Sequence, residues 1–258
     1  MPISVPESSM RYAPALLILM ATTVSAQQTP PAPAAAPTQK APDEGEIRLH
    51  NDFGWLGRYR NANAEVTKPV TIVFMGDSIT QGWFDKMPGF FTSGRIGRGI
   101  GGQTTTQMLL RFRQDVIDLK PQLVQIMAGT NDIAGNTGPM TPEQTEANIM
   151  SMAELARAHG IRVILASIPP ADHFPWRPGL DTASRIAVLN AWMQGYAKRT
   201  GSTYADYWSA LHDGQATRAS FTYDGVHPNE AGYAAMAPVA EAAIRTALTS
   251  PRPRPIAD

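Results

Sequence analysis

Val70 to Gln81 reads VTIVFMGDSITQ, and this stretch decides the fold. Val70, Ile72, Val73, Phe74 and Met75 form a short apolar run of branched and aromatic residues, as expected of a strand covered on both faces. Gly76 ends the run and lets the backbone turn sharply. Asp77 and Ser78 then fall in a turn that opens a helix, at the end of an open α/β sheet where ligands bind. There the N–H of Ser78 faces outward from a helix N-terminus, a place suited to negative charge. Read from this stretch alone, Ser78 is either a helix N-cap or a nucleophile.

Further along, the chain alternates between strand and helix signals. Residues Ile47 to Ala64 carry Phe53, Trp55, Leu56 and Tyr59 and predict a helix beside the first strand. Ile96–Ile100 predicts a second strand ending in Gly101-Gly102. Met108, Leu109, Phe112, Val116 and Leu119 fall at helical spacing and predict a helix over Thr104–Lys120, stopped by Pro121. Leu123–Ala128 predicts a third strand. Thr141, Pro142 and Gln144 then give a cap, a proline at the first helical position and a capping-box partner for a helix running to Gly160. Ile161–Ser167 predicts a fourth strand. A proline-rich loop over Ile168–Leu180 follows, then a helix capped by Asp181, a fifth strand at Ser202–Asp206, and a last helix over Asn229–Leu248. Strict alternation implies an α/β fold: a three-layer α/β/α sandwich with a doubly wound, flavodoxin-like sheet of about five parallel strands.

Composition bounds what this fold can do. With 258 residues, 43% hydrophobic and 17% charged, the chain has one domain's worth of sequence. Lys plus Arg equals Asp plus Glu, so nothing suggests a nucleic-acid partner. The absence of cysteine removes disulfides, thiolate nucleophiles and thiolate metal sites. At the N-terminus, Arg11 precedes an apolar run from Ala13 to Val24, and Val24-Ser25-Ala26 has the small residues of a cleavage site. Residues 1–26 are therefore expected to be a cleaved export signal, with a membrane anchor or a disordered tail as the other readings. Residues 27–45 are rich in Pro and Ala and predict an extended linker. The domain is expected over 46–250, with a loose tail over 251–258. These features predict a secreted or periplasmic protein with no stable membrane insertion once the signal is removed.

Parallel strands point their carboxyl ends to one side of the sheet, so residues after each strand share one crevice. Ser78, Gly102, Asn131 and Asp132 follow the first three strands, and Asp224 and His227 precede the last helix. A serine hydroxyl needs a base, His227 can be that base, and Asp224 can hold its ring. The N–H groups of Ser78 and Gly102 and the amide of Asn131 can hold an oxyanion. Each has a plainer reading: His227-Pro228 as a helix entry, Asn131 as a turn residue. His173 and His212 are rivals for the base; His173 is expected at the crevice mouth and His212 in a solvated turn. Asp77 and Asp132 are expected to fix local backbone. In the loop after the fourth strand, Phe174 and Trp176 offer apolar faces for a sugar ring, with Asp172 and Arg177 for hydrogen bonds and His173 beside them. Trp176 packed onto the core is the alternative.

GDSIT at 76–80, GIGGQTT at 99–105, GTND at 129–132 and DGVHP at 224–228 resemble, in order, the four blocks of the SGNH hydrolases, also called the GDSL lipase/esterase family. The likeness runs from about Val70 to Leu248, and NDFGWLGRYRNANAEV resembles the lead-in of secreted bacterial members. It implies Ser78 as nucleophile, Gly102 and Asn131 as oxyanion donors, His227 as base and Asp224 as its partner. Gln103 departs from the family, whose other members carry aspartate there. There is no G-x-S-x-G elbow of the α/β hydrolases, and Asp and His sit three apart. The expected activity is a serine ester hydrolase acting on short acyl groups, with carbohydrate O-acetyl esters as the foremost substrate class and no cofactor or metal. An arylesterase or lysophospholipase of the same family, and an acyltransferase on the same machinery, remain open. Two other classes are a metal-dependent phosphoesterase and a non-catalytic glycan-binding domain. Chelation would separate the first and fluorophosphonate labelling the second.

Overall fold

Alternate residues of each strand point to opposite faces, and both faces of this sheet are apolar. Val73, Met75, Val124, Ile126, Val163 and Leu165 meet one helix layer; Ile72, Phe74, Leu123, Ile164 and Ala166 meet the other. In the computed structural model, which describes residues 44–255, the strands of this sheet are β1 (Ile72–Gly76), β2 (Arg95–Gly99), β3 (Leu123–Met127), β4 (Arg162–Ala166) and β5 (Thr203–Ala205). They pair in parallel in the order β2-β1-β3-β4-β5, the flavodoxin-like order. The expected three-layer doubly wound fold is therefore present.

The helices in chain order are α1 (Glu44–Asn51), α2 (Arg60–Ala64), α3 (Ser78–Lys86), α4 (Thr105–Asp115), α5 (Thr130–Ala134), α6 (Pro142–Ala158), α7 (Thr182–Thr200), α8 (Tyr207–Leu211) and α9 (Glu230–Thr249). Met108 and Phe112 of α4, Ile149 and Met152 of α6, and Ile186 and Leu189 of α7 fill one layer. Ile79 and Trp83 of α3 and Tyr233, Met236 and Ala240 of α9 fill the other. Trp83 is central there, stacked between Phe90 and Tyr233 at ring-centroid distances of 4.7 and 5.8 Å.

Several element boundaries differ from the sequence reading, each for a local reason. The helix expected over Ile47–Ala64 is two helices, because the Asp52 carboxylate accepts hydrogen bonds from the N–H groups of Leu56 (2.7 Å) and Gly57 (2.9 Å) and folds the chain over between them. Glu44 and Gly45, expected in the linker, already belong to α1. The helix expected through Lys120 ends at Asp115, and the chain tightens into a single 3-10 turn at Ile117–Leu119. Pro121 excludes helical backbone at the residue before it. Asp181 stands at the N-cap of α7 but makes no side-chain cap bond. The capping box at Thr141 and Gln144 forms as expected. In the C-terminal stretch, 251–255 has no regular secondary structure, yet the Arg252 side chain donates to the Gly160 carbonyl at 2.7 Å. The expected export signal, most of the linker and the last three residues lie outside the described residues.

The close approach of α3 to the end of β2 sets the positions of everything that follows. A Cβ on Gly99 would sit 2.1 Å from the backbone nitrogen of Gln81. Gly99→Ala is expected to destabilise the fold by about 3 kcal/mol, at the upper end of overpacking costs. Urea denaturation followed by circular dichroism checks this, and an unchanged midpoint would show that α3 does not depend on that contact.

Candidate active site

Asp77 caps α3 by accepting the N–H of Ile79 on its Oδ1 at 2.9 Å, so Ser78 begins the helix directly after β1. The N–H of a first helical residue has no carbonyl one turn behind it. Ser78 Oγ lies 2.9 Å from His227 Nε2, although 149 residues separate them. The loop that brings His227 there is held by its own side chains. Thr222 Oγ1 accepts the N–H of Gly225 at 3.0 Å and donates to the His227 carbonyl at 2.8 Å. Asp224 Oδ1 accepts the N–H groups of Val226 (3.0 Å) and His227 (2.7 Å), and Oδ2 lies 2.7 Å from His227 Nδ1. Asn229 then caps α9 through the N–H of Gly232. Partial burial raises the Asp224 carboxyl, but the hydrogen bonds from the His227 backbone and ring and from Val226 outweigh it and hold it below the usual carboxylate range. An anionic Asp224 fixes the proton of the imidazole on Nδ1 and leaves Nε2 to accept from Ser78.

The turn after β2 and the helix after β3 complete the crevice. Gln103 N–H donates to the Ile100 carbonyl at 3.3 Å, and Gly102 between them has φ +76°, the value of the third residue of a type II turn. Gly102 is exposed. Gln81 of α3 accepts the N–H of Gly101 at 2.9 Å and ties this turn to the Ser78 helix. Asn131 is buried on α5, where its Nδ2 donates to the Gln103 carbonyl at 3.0 Å and lies 3.4 Å from Asp77 Oδ2. Its Oδ1 accepts from Asn136 at 2.7 Å. Asp132 accepts the N–H of Thr105 and joins α5 to the start of α4. Both Asp77 and Asp132 thus hold backbone. Burial pushes both upward, Asp77 to about 6.

At the mouth the picture departs from the sequence reading. Phe174 is 1% exposed and Trp176 is 40% exposed, stacked on it at 5.1 Å. Phe174 is therefore no open surface; it is a floor under Trp176, because a ring on that side of the loop buries more apolar area facing inward. The Trp176 ring lies 6.0 Å from that of His227. His173 pairs with Asp172 at 2.7 Å, both side chains exposed, and its ring lies 3.8 Å from where a Cβ on Gly225 would sit, beside the loop that carries His227. Arg177 donates to the Ala134 carbonyl at 2.6 Å and pins the loop to the end of α5. His212 is taken up by a face-to-face stack on Trp208 at 4.3 Å. Sequence reasoning missed Tyr223. It is 63% exposed, its ring lies nearly parallel to that of His227 at 5.7 Å, and the Lys86 ammonium sits 5.5 Å from its centre. Its position next to Asp224 was the available signal, but spacing does not tell which way a ring turns in a loop.

Residues 74–235 match the model of the GDSL-like Lipase/Acylhydrolase family. A solved GDSL-like lipase of Bacteroides thetaiotaomicron is 46% identical, with a TM-score of 0.73, over 76% of this chain and 100% of that one. An uncharacterized lipoprotein of Bacillus subtilis is 34% identical over 114 residues, 43% of this chain and 47% of that one. An acetylxylan esterase of Geobacillus stearothermophilus is 27% identical over 154 residues, 55% of this chain and 68% of that one. The match thus spans about half the length of the lipoprotein. With more than half of its length under the family model and all four sequence blocks gathered at one edge of the sheet, the chain belongs to the GDSL-like lipase/acylhydrolase family.

Proposed function

We propose that the protein is a serine esterase that removes short acyl groups, foremost O-acetyl groups on carbohydrates, through an acyl-enzyme. The reading rests on one observation: an unbroken hydrogen-bond chain from Ser78 Oγ through His227 to Asp224, with links of 2.9 and 2.7 Å. His227 Nε2 takes the Ser78 proton as Oγ attacks the ester carbonyl. The Asp224 carboxylate balances the imidazolium. The oxyanion is held by the N–H groups of Ser78 and Gly102 and by Asn131, whose second amide hydrogen leaves its longer 3.4 Å contact with Asp77. The intermediate collapses, the C–O bond to the alcohol breaks, and His227 returns the proton to the leaving oxygen. Water then repeats the sequence, with His227 as base, and frees the acid and Ser78.

Two features support an acetylated sugar. One is the acetylxylan esterase among the relatives. The other is the pair of exposed aromatic rings, Trp176 and Tyr223, beside the base that must reach the leaving alcohol. An extracytoplasmic location agrees with the export-like N-terminus and the lipoprotein relative.

Ser78→Ala is expected to lower kcat by roughly three orders of magnitude or more while the fold persists. His227→Ala should match it and His173→Ala should stay near wild type; the reverse ranking in p-nitrophenyl acetate assays would move the base to His173. Asn131→Ala is expected to cost about 10²–10³ in kcat, the usual loss for one oxyanion donor. A change confined to KM would make Asn131 a ground-state binder instead. Acetyl esters should exceed octanoyl esters in kcat/KM, and Trp176→Ala should harm acetylated oligosaccharides more than p-nitrophenyl acetate. A preference for the longer chain would favour the lysophospholipase reading.

A further inference from the structure

We propose that Gln103 and Arg111 are positioning residues that fix the oxyanion donors at a set distance from the strand carrying Ser78. The proposal rests on the esterase reading above and deepens it. Neither residue hydrogen-bonds to Ser78 or His227.

Gln103 is the junction. It follows Gly102, and its N–H closes the turn on the Ile100 carbonyl at 3.3 Å, so a shift of its backbone is passed through that turn to the Gly102 N–H. Its carbonyl accepts from Asn131 at 3.0 Å, so the same movement would shift Asn131. Its side chain is buried and held at both ends: Oε1 accepts from Arg111 Nε at 2.6 Å, and Nε2 donates to the Gly54 carbonyl at 2.9 Å. Arg111 carries the hold across to the nucleophile strand. Its Nη2 donates to the carbonyl of Gly76, two residues before Ser78, at 3.0 Å. Its Nη1 donates to the Arg98 carbonyl at 2.9 Å and to Asp115 at 3.0 Å. One planar guanidinium thus joins the end of β1, β2 and the oxyanion turn, a geometry that a flexible ammonium does not reproduce.

The cost of this arrangement argues that its value is positional. Arg111 and Asp115 are both fully buried. A buried ion pair is weak support for stability, since apolar side chains of similar volume often do as well. A directed fork is what apolar side chains cannot supply. The network also reaches the segment ahead of β1, outside the span that matches the family model. Asn63 donates to Asp115 at 2.7 Å and accepts from Arg98 at 2.8 Å, and the Tyr59 hydroxyl donates to the Gly99 carbonyl. The lead-in segment is therefore an outer brace of the oxyanion turn.

The test compares kcat and KM for p-nitrophenyl acetate in wild type, Gln103→Ala and Gln103→Glu, with thermal melts of each. Gln103→Ala is expected to lower kcat about ten- to a hundredfold, the scale of a slight misplacement of reacting groups, with KM within about twofold. Gln103→Glu keeps an acceptor for Arg111 Nε but loses the donor to the Gly54 carbonyl, and is expected to recover part of kcat. A folded Gln103→Ala with wild-type kcat overturns the proposal, as does a Gln103→Glu no better than alanine. Should Gln103→Ala not fold, Asn63→Ala loosens Asp115 from the partly exposed edge. A fall in kcat at unchanged KM there supports the proposal, and an unchanged kcat overturns it. A wild-type chain without esterase activity overturns the functional reading itself.

Discussion

The level ends of three parallel strands are the constraint on which the rest depends. Gly76 pairs with Gly99 on one side and Met127 on the other, so β2, β1 and β3 stop together. Parallel hydrogen bonding is evenly spaced, and a slip of one residue would send every side chain to the wrong helix layer. The two hydrophobic layers therefore lock the register, and the register fixes where the segments after the strands emerge. The strand order reverses at β1, with β2 on one side and β3 on the other, and the crevice opens there. Glycine at 99 lets α3 start over the end of β2 without a collision.

Within that crevice, environment sorts carboxylates of the same chemistry into different duties. Asp77 and Asp132 are nearly free of solvent, and burial raises both above the usual range. Their oxygens accept backbone N–H groups and anchor the starts of α3 and α4. Asp224 is only partly buried and collects three hydrogen bonds, which keep it anionic beside His227. The carboxylate beside His227 thus stays charged because its own loop supplies its donors.

Much of this was legible in the chain. Apolar runs at β1, β3 and β4 marked the sheet, the alternation of strand and helix signals implied its parallel sense, and the residues after the strands and before the last helix brought Ser78, Gly102, Asn131 and the Asp224–His227 pair to one edge. The site was legible because it uses backbone ends, whose positions follow from topology. What was not legible depends on which way side chains turn. Phe174 is a buried floor and Trp176 an exposed face, though they are two residues apart in one loop. Tyr223 lies along His227, and nothing in its spacing required that. The split of the lead-in into α1 and α2 follows from one aspartate folding back on its own backbone.

The sequence by itself determined the elements, their alternation and the order in which chemistry-bearing residues reach the sheet edge, because hydrophobic period and turn residues are local properties. Only the tertiary structure decided how those residues are held. The buried fork of Arg111 joins Gly76, Arg98 and Gln103, groups separated in the chain and adjacent only after β1, β2 and α4 have packed. Hydrogen bonds of that kind have no sequence period. They arise because every buried donor must find an acceptor among whatever the packed backbone leaves within reach.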